Sequence, residues 1–385
     1  MELLSLKTAA FGLEITDFYL RAVDLKKRNG KTVISAISCL EIAPGIVEAG
    51  EVKDDKKLAE AIKNCIKKAK GQKIEKKYVV VSLPDDKAFL QVIQMPKMSE
   101  KDLRSAVSFE AENYIPMPLT KASFDYQAIP EPSGKIDHLD ILIAAFPKTV
   151  IDPYVDAVKK AGLSPIAFEL ESQAVARILV NDGFSDAPVL IINVGDVKTN
   201  LAVYAGYSLR ISFSIPISNK YFINTISKSL GVNTKEAEFI KINYGIEKYN
   251  SGEACLKEKK DDIKLAKGRT EKDQRAIFES LLPGIIDFTQ QTEKYLNYYH
   301  THASHEHLGK DKRMVRKIFL CGSGANLKGL DQLINMKLKL PVKKGDIFSN
   351  GLLAEKEKKS VIPDGDTSQF VTAFGLAVRG LVGKE

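Results

Sequence analysis

Two short segments of the chain repeat the same order of residue types, one near the start and one near the middle. An aliphatic run leads to Glu14 in the first segment and to Asn193 in the second. Each run continues with one aliphatic residue and a turn, Thr16-Asp17 or Gly195-Asp196, and then with a second apolar strand. Tight turns of this kind point backbone N–H groups at an anion, so the pattern predicts two hairpins with phosphate-binding turns.

A pair of such hairpins, one opening each half of the chain, resembles the phosphate-gripping turns of the actin, sugar kinase and heat-shock ATPase superfamily. The resemblance implies an α/β fold of the actin/Hsp70 (ribonuclease H-like) type with two domains, with ATP and magnesium as cofactors. It implies that Glu14 and Asn193 position a metal ion or a water. It also implies nucleotide-binding positions in the two turns, which are Thr16, Asp17, Gly195, Asp196, Lys198 and Thr199. Two unrelated hairpins in a mixed α/β protein are the alternative.

The composition is that of a globular protein. The chain has 385 residues, 44% apolar and 28% charged, which is enough for two domains with their own cores. It has no apolar run of about 18 residues and no signal-peptide pattern, so we expect a soluble cytoplasmic protein. The four cysteines show no metal-ligand spacing, and no metal site is predicted. The net charge of +8 comes mostly from lysine, which without interleaved aromatic residues is typical of a solvated surface.

The segment from residue 87 to residue 147 interrupts the first half. The strand AFLQVIQMP leads to a helix that Ser99 caps and that Pro116 and Pro118 stop, and two further strands follow. The motif IQMPKMSEKDLRSAVSFEAENYIPMPL resembles the corresponding segment of the PilM family, the actin-like proteins of type IV pilus assembly, and more distantly that of the FtsA cell-division proteins. Both families carry an inserted subdomain, 1C, at this point.

Two motifs of the second half extend the resemblance, which covers residues 9 to 382. In TKEAEFIKINYG, Glu238 and Lys241 fall where the superfamily places an acid and a lysine beside the ribose and adenine, and their spacing puts them on one helix face. A surface ion pair is the alternative. The motif IFLCGSGANLKGLDQLI joins a strand to a Gly-rich turn and resembles the adenosine motif of the actin family. The nucleotide-binding positions implied there are Gly322, Ser323, Gly324 and Asn326.

The order of elements predicts the division of the chain. A polar, turn-rich seam at residues 181–188 separates the two halves. The expected boundaries are 1–85 for the first part of subdomain 1A, 86–147 for the inserted subdomain 1C, 148–186 for the return to 1A, 187–232 for the first part of 2A, 233–312 for 2B and 313–385 for the return to 2A.

Both turns depart from the pattern of hydrolysing relatives. Thr16 replaces the glycine that lets phosphate approach the first turn, and Asp17 adds a carboxylate that repels phosphate unless magnesium intervenes. Asn193 stands where hydrolysing members carry aspartate, and asparagine is a poor base. We therefore expect a scaffold that binds nucleotide weakly or as a structural ligand and hydrolyses it slowly at most.

The resemblance implies a cytoplasmic adaptor that is peripheral at the inner membrane. It would bind the cytoplasmic N-terminal segment of a PilN-type bitopic membrane protein, form a homo-oligomeric ring, and link the platform to the pilus motor ATPases, with no nucleic-acid partner. The segment would lie as an extended peptide in a groove beside subdomain 1C. Candidate lining residues are Met95, Phe109, Tyr114 and Ile115, for each of which core packing is the alternative.

Three other functions stay open. An FtsA-like cell-division protein should end in an amphipathic membrane-targeting helix, whereas this sequence stops at GLAVRGLVGKE. A type II secretion adaptor of the same architecture usually continues into a membrane span, which is absent here. A sugar or acetate kinase would need intact phosphate turns and a substrate-side general base.

Overall fold

The computed structural model describes residues 9–28, 30–130, 137–246, 271–302, 308, 312–345, 347–348, 351–353 and 367–381. The strands within these residues are β1 Ala10–Ile15, β2 Tyr19–Arg28, β3 Lys31–Glu41, β4 Val47–Glu48, β5 Glu51–Val52, β6 Lys70–Gly71, β7 Tyr78–Leu83, β8 Phe89–Pro96, β9 Ala122–Ala128, β10 His138–Pro147, β11 Ser164–Leu170, β12 Ser185–Val194, β13 Thr199–Gly206, β14 Ser208–Ile215, β15 Lys317–Cys321 and β16 Val342–Lys344. The helices there are α1 Asp55–Lys67, α2 Glu100–Tyr114, α3 Lys148–Lys160, α4 Glu171–Leu179, α5 Asn219–Leu230, α6 Thr234–Asn243, α7 Glu271–His302, α8 Leu330–Leu338 and α9 Val371–Leu381. None of these described helices combines the length and apolar character needed to cross a membrane.

Two sheets of the same plan form the two halves of the molecule. The first has the strand order β11-β7-β1-β2-β3-β6 and the second the order β14-β13-β12-β15-β16. In each, the first strand of the predicted hairpin pairs antiparallel with the next strand and parallel with a later one, so β1 lies between β2 and β7, and β12 between β13 and β15. This repeated plan confirms the actin-like α/β fold that the paired hairpins predicted.

Strand β12 shows why its sequence is a continuous apolar run. Val189 and Ile191 pack into one hydrophobic core, which is shared with the first half, whereas Leu190 and Ile192 pack into the core of the second half. Both faces of the strand are covered, and such strands lose the alternation of apolar and polar residues. The turn that follows β12 is thereby held on a rigid support.

The inserted segment folds around a core of its own. Strands β8, β10 and β9 form a three-stranded sheet in that order, and α2 packs on it through Leu103, Val107 and Ala111. The Ser99 hydroxyl accepts a hydrogen bond from the backbone N–H of Asp102 at the start of α2, as its type predicted. A buried ion pair between Asp140 and Arg210, 2.9 Å long, ties this subdomain to β14 of the second half.

Helix α9 lies in the first half, which differs from the expected return of residues 313–385 to the second half. Its Phe374 and Val378 belong to the core beneath the first sheet. The approach to β1 is close, because a side chain at Gly12 would lie 2.4 Å from the carbonyl oxygen of Ala373. The sequence pattern of α9 indicates a buried helix but not which sheet it covers.

The segment predicted as subdomain 2B, residues 233–312, contributes two described helices to the second half. Helices α6 and α7 pack with α5 in the core of the second half, for example through Ile240 and Phe288 beside Phe222. The described helices on either side of residue 233 therefore share one core, and the boundary there stays a prediction. Residues 247–270 of this segment lie outside the described residues.

Candidate functional site at the cleft between the two hairpin turns

The two hairpin turns face each other across a cavity of about 220 Å³ between the halves. Most of the predicted site residues line this cavity, namely Glu14, Thr16, Asp17, Asn193, Gly195, Asp196, Lys198, Gly322 and Ser323. Turns that are almost 180 residues apart in sequence thus meet at one place. The repeated pattern in the sequence was sufficient to nominate them together.

Five predicted residues do not line the cavity. Thr199 is buried, and its hydroxyl donates to the carbonyl oxygen of Ile217 at 2.6 Å. Lys241 is fully buried and its ammonium donates to the side chain of Asn219 and to the carbonyl oxygen of Ser323, whereas Glu238 is exposed. Glu238 and Lys241 therefore lie on the same helix, α6, but one faces solvent and the other is buried. The remaining two are Gly324, which is buried, and Asn326, which is half-buried.

The glycines of the Gly-rich turn are required by packing. A Cβ atom on Gly322 would lie 2.4 Å from the side-chain oxygen of Asn193, and one on Gly324 would lie 2.3 Å from the side chain of Val194. The α-helix that follows this turn begins at Leu330, after a single 3₁₀ turn. The turn thus fixes β15 against β12 and does not open directly into a helix N-terminus.

The first turn uses its polar groups internally. The Thr16 hydroxyl accepts a hydrogen bond from the backbone N–H of Tyr19 at 3.0 Å, and the Thr16 N–H donates to the Tyr19 carbonyl at 2.9 Å. The Asp17 carboxylate accepts from the backbone N–H groups of Ala49 and Gly50 at 2.6 and 2.9 Å. The side chain of Asp17 therefore anchors the segment between β4 and β5.

Arg21 is a site residue that no sequence pattern singled out. It lies on β2, is 3% exposed, and extends into the space between the two turns. One guanidinium nitrogen is 3.5 Å from the carboxylate of Glu14, and another is 3.2 Å from that of Asp196. The other carboxylate oxygen of Asp196 accepts a hydrogen bond from the Ser323 hydroxyl at 2.5 Å. A cation of the first half is thus held by a carboxylate of the second.

The protonation of this cluster depends on the guanidinium. Burial raises the pKa of Glu14, and Asp196 adds to this, whereas Arg21 lowers it. Burial alone would lower the pKa of Arg21, but Asp196 and Glu14 raise it above its usual value. The guanidinium therefore opposes the effect of burial on Glu14, and the two carboxylates favour the charged form of Arg21.

A second group of charges lies beside the first, at the end of β7 and the start of α4. Lys198 of the second turn forms an ion pair with Asp86, and Asn200 donates a hydrogen bond to Glu171 at 2.7 Å. Burial raises the pKa of Glu171 well above its usual value. These contacts also join the two halves.

Asp85 is buried at the same place, and it gives a prediction for stability. Its carboxylate accepts from the hydroxyl and the N–H of Ser172 at 2.8 and 3.1 Å, but burial raises its pKa to about 6. Because the pKa is raised, the ionised form of Asp85 destabilises the folded state above about pH 6. This cost disappears as the pH falls towards the pKa that Asp85 has in the unfolded chain. We expect Asp85→Asn to raise the free energy of unfolding by about 1–3 kcal/mol near pH ~8.

Urea unfolding of this variant near pH ~8 and pH ~4 measures the effect, and the gain should be absent at the lower pH. Asp86→Asn is the matched control, because Asp86 is the adjacent carboxylate but is paired with Lys198 and should give no such gain. A less stable Asp85→Asn protein near pH ~8 would contradict the prediction and show that the bonds to Ser172 require the charge.

The residues of this arrangement do not fit a magnesium-bound triphosphate between the turns. The cavity is lined by five carboxylates, and its two cations, Arg21 and Lys198, are both paired within the protein. Its volume is below the roughly 300–1,000 Å³ of typical small-molecule sites. Within the described residues, no group of three or more acidic, histidine or cysteine side chains is placed to hold a metal ion. Phosphate would have to displace Arg21 from Asp196.

Comparison with family models gives two matches. The model described as type IV pilus assembly protein PilM matches residues 12–253, which is more than half of the chain. The model described as cell division protein FtsA matches residues 190–362. The FtsA protein of Streptococcus pneumoniae serotype 2 is 24% identical over 254 residues, which cover 61% of this chain and 55% of that protein. The chain spans about half the length of the curated relatives that it matches.

Solved structures share the fold. A PilM-PilN type IV pilus biogenesis complex superposes with a TM-score of 0.74 at 23% identity, covering 97% of this chain and 99% of that chain. MreB5 of Spiroplasma citri bound to ADP superposes with a TM-score of 0.52 at 14% identity, covering 97% and 96%. At these identities the likeness establishes an actin-like architecture.

Proposed function

Because the chain belongs to the PilM family of type IV pilus assembly proteins, we propose that it is an actin-like adaptor that binds the cytoplasmic N-terminal segment of a PilN-type inner-membrane protein. The observation that carries this proposal is the inserted subdomain, which offers an open strand edge beside the first half. The solved relative that superposes over nearly the whole chain is described as a complex of PilM with PilN. The partner would hold the adaptor at the cytoplasmic face of the inner membrane.

Strand β9 is the proposed site of peptide addition. Among the described strands it pairs only with β10, so its other edge carries main-chain groups that an extended peptide can bind. The strand lies beside α3, and its Gln127 accepts a hydrogen bond from Gln173 of α4 at 3.3 Å. A peptide along this edge would therefore lie between the inserted subdomain and two helices of the first half.

Exposure separates the four candidate lining residues into two pairs. Met95 and Ile115 are each 4% exposed and belong to the core of the inserted subdomain. Phe109 is 71% exposed and Tyr114 is 44% exposed. The proposed partner contacts are accordingly limited to Phe109 and Tyr114, because exposed aromatic side chains can be buried by a partner and aromatic residues are frequent among the few that carry most of the binding energy.

The cleft supports an adaptor whose partner binding does not require nucleotide. Arg21 already joins Glu14 to Asp196 across the two halves. We propose an adenine nucleotide only as a weak ligand, because its phosphates would have to break this contact, and slow hydrolysis at most. A ring of copies and contact with the platform and motor ATPases remain part of the proposal.

The test is calorimetric titration of the purified protein with the N-terminal cytoplasmic peptide of a PilN-type bitopic membrane protein from the same organism. We expect micromolar binding with and without magnesium-ATP. Replacing Phe109 and Tyr114 together with alanine should weaken binding by at least about tenfold, because each removes an aromatic contact. Phe239→Ala is the matched control, since Phe239 is 50% exposed on α6 of the second half.

Two results would count against this proposal. Peptide binding that appears only with magnesium-ATP would mean that the cleft acts as a switch and that Arg21 is readily displaced. Absence of binding in both conditions would remove the adaptor proposal for this partner. Equal losses in the double variant and in Phe239→Ala would reject the two aromatic residues as contacts but not the partner.

A further inference from the structure

Two segments of the chain together carry more excess positive charge than the chain as a whole. Residues 26–31 and 63–77 hold eleven of the 57 lysines and arginines but only one of the 49 acidic residues. The rest of the chain has 46 basic and 48 acidic residues, so it carries no net positive charge. A general excess of lysine on the surface would not give this distribution.

The fold brings the two segments together. The ammonium group of Lys26 donates to the side chain of Gln72 at 2.7 Å, and that of Lys76 donates to the carbonyl oxygen of Leu25 at 2.9 Å. Strand β6, which follows α1, pairs with the middle of β3. We define the lysine and arginine side chains of residues 26–28, 31 and 63–77 as the basic face.

The charges of the basic face are largely unneutralised. All of its lysines and arginines are exposed except Lys76, which is half-buried and pairs with the buried Asp24 at 2.6 Å. Glu75 is the one acidic residue of the two segments, and it lies 4.0 Å from Lys73. Nearly all of the excess charge is therefore directed at solvent.

The basic face lies at the end of the first sheet away from the cleft. Strand β1 enters at Ala10, opposite Tyr78, and ends near Glu14 at the cleft. Strand β2 returns from the cleft to Arg28. Two exposed apolar side chains accompany the charges at the same end, Tyr78 at 40% and Ile166 at 45% exposure, on neighbouring strands β7 and β11. A surface could thus contact this end without obstructing the cleft.

We infer that the basic face binds the surface of an anionic lipid bilayer. Ten of its eleven basic residues are lysine, which carries a compact, hydrated point charge on a flexible stem and does not need a fixed geometry of its partner. A nucleic-acid site would favour arginine and several stacking aromatic residues. Tyr78 is the aromatic residue bordering this face, and an amphipathic side chain of this type suits the headgroup layer. This inference goes beyond the proposed peptide binding, because it concerns a different surface and a different ligand.

Sedimentation of the full chain with lipid vesicles tests the inference. We expect binding to vesicles of phosphatidylcholine with about 30% phosphatidylglycerol at about 0.1 M salt, no binding to phosphatidylcholine alone, and loss of binding at about 0.5 M salt. Each basic residue near such a surface strengthens binding by about fivefold, so Lys27→Glu/Arg28→Glu/Lys31→Glu should weaken it by at least about tenfold.

The control variant carries the same change of net charge elsewhere. Lys235→Glu/Lys337→Glu/Lys343→Glu alters three exposed lysines of the second half and should retain vesicle binding. Equal losses in the two triple variants would show that net charge alone is responsible and would overturn the inference. The inference would also be overturned if the wild-type protein bound duplex DNA more tightly than it binds vesicles at the same salt concentration, and if the first triple variant lost this DNA binding.

The same variants separate this inference from the proposed function. The first triple variant should bind the partner peptide in solution as wild type does, because its substitutions are distant from the inserted subdomain. Vesicle binding without peptide binding would support the bilayer surface and reject the partner. Peptide binding without vesicle binding would support the partner and reject the bilayer surface.

Discussion

Replacing Arg21 with methionine is expected to lower the free energy of unfolding by about 3–5 kcal/mol, because it leaves two buried carboxylates without their cation. Both Glu14 and Asp196 have side chains that are at most 7% exposed. The loss should shrink as the pH falls, since Glu14, whose pKa burial already raises, then becomes neutral. Chemical denaturation at several pH values measures this effect.

Two further variants make this experiment specific. Arg21→Met/Asp196→Asn removes one of the stranded carboxylates and should recover a large part of the lost stability. Arg28→Met alters an exposed arginine on the same strand and should change stability by no more than about 0.5 kcal/mol. If Arg21→Met lost less than about 1 kcal/mol, the guanidinium would not be holding the cleft, and phosphate could replace it readily.

Gly375→Ala is expected to destabilise the protein by about 3 kcal/mol or more, although alanine is intrinsically the better helix former by about 1 kcal/mol. A Cβ atom at Gly375 would lie 1.9 Å from the carbonyl oxygen of Ala174. That oxygen belongs to α4, so the clash is with backbone and not with a side chain that could turn away. Helices α4 and α9 would have to separate.

Thermal or urea unfolding distinguishes close packing from helix propensity. Ala377→Gly, in the same helix, should cost about 1 kcal/mol from propensity, with a further small loss from the methyl group. A Gly375→Ala protein as stable as wild type would contradict the close contact of α4 with α9. Retention of the native circular dichroism spectrum is required for the comparison of both variants.

Local patterns in the sequence predicted the elements of the fold well. The strand predicted from AFLQVIQMP is β8, and the two strands predicted after the capped helix are β9 and β10. Such patterns depend on residues only a few positions apart, so they can be recognised from the sequence alone. Examples are the apolar runs of β1 and β12 and the helix cap at Ser99. The repeat of the two hairpins added the long-range information that their turns face each other.

The residues that sequence reasoning missed all act through distant partners. Arg21 is one of several charged residues in β2, and its pairing with Asp196 spans 175 residues. Asp85 and Glu171 gain their raised pKa values from burial, which no local pattern reports. The spacing of Glu238 and Lys241 placed them correctly on one helix but could not show that α6 buries the lysine and exposes the acid.

The position of α9 has a consequence for synthesis on the ribosome. Strands β1 to β7 come from the first 83 residues, but the helix that packs on β1 and β2 comes from residues 371–381. All strands of the second sheet lie between residues 185 and 344 and leave the ribosome earlier than that helix. The surface of the first sheet around Gly12 therefore stays uncovered until α9 is synthesised, when all strands of the second sheet have already been made. In this chain the half that is begun first is the half that is finished last, and its open surface is available to a chaperone throughout translation of the other.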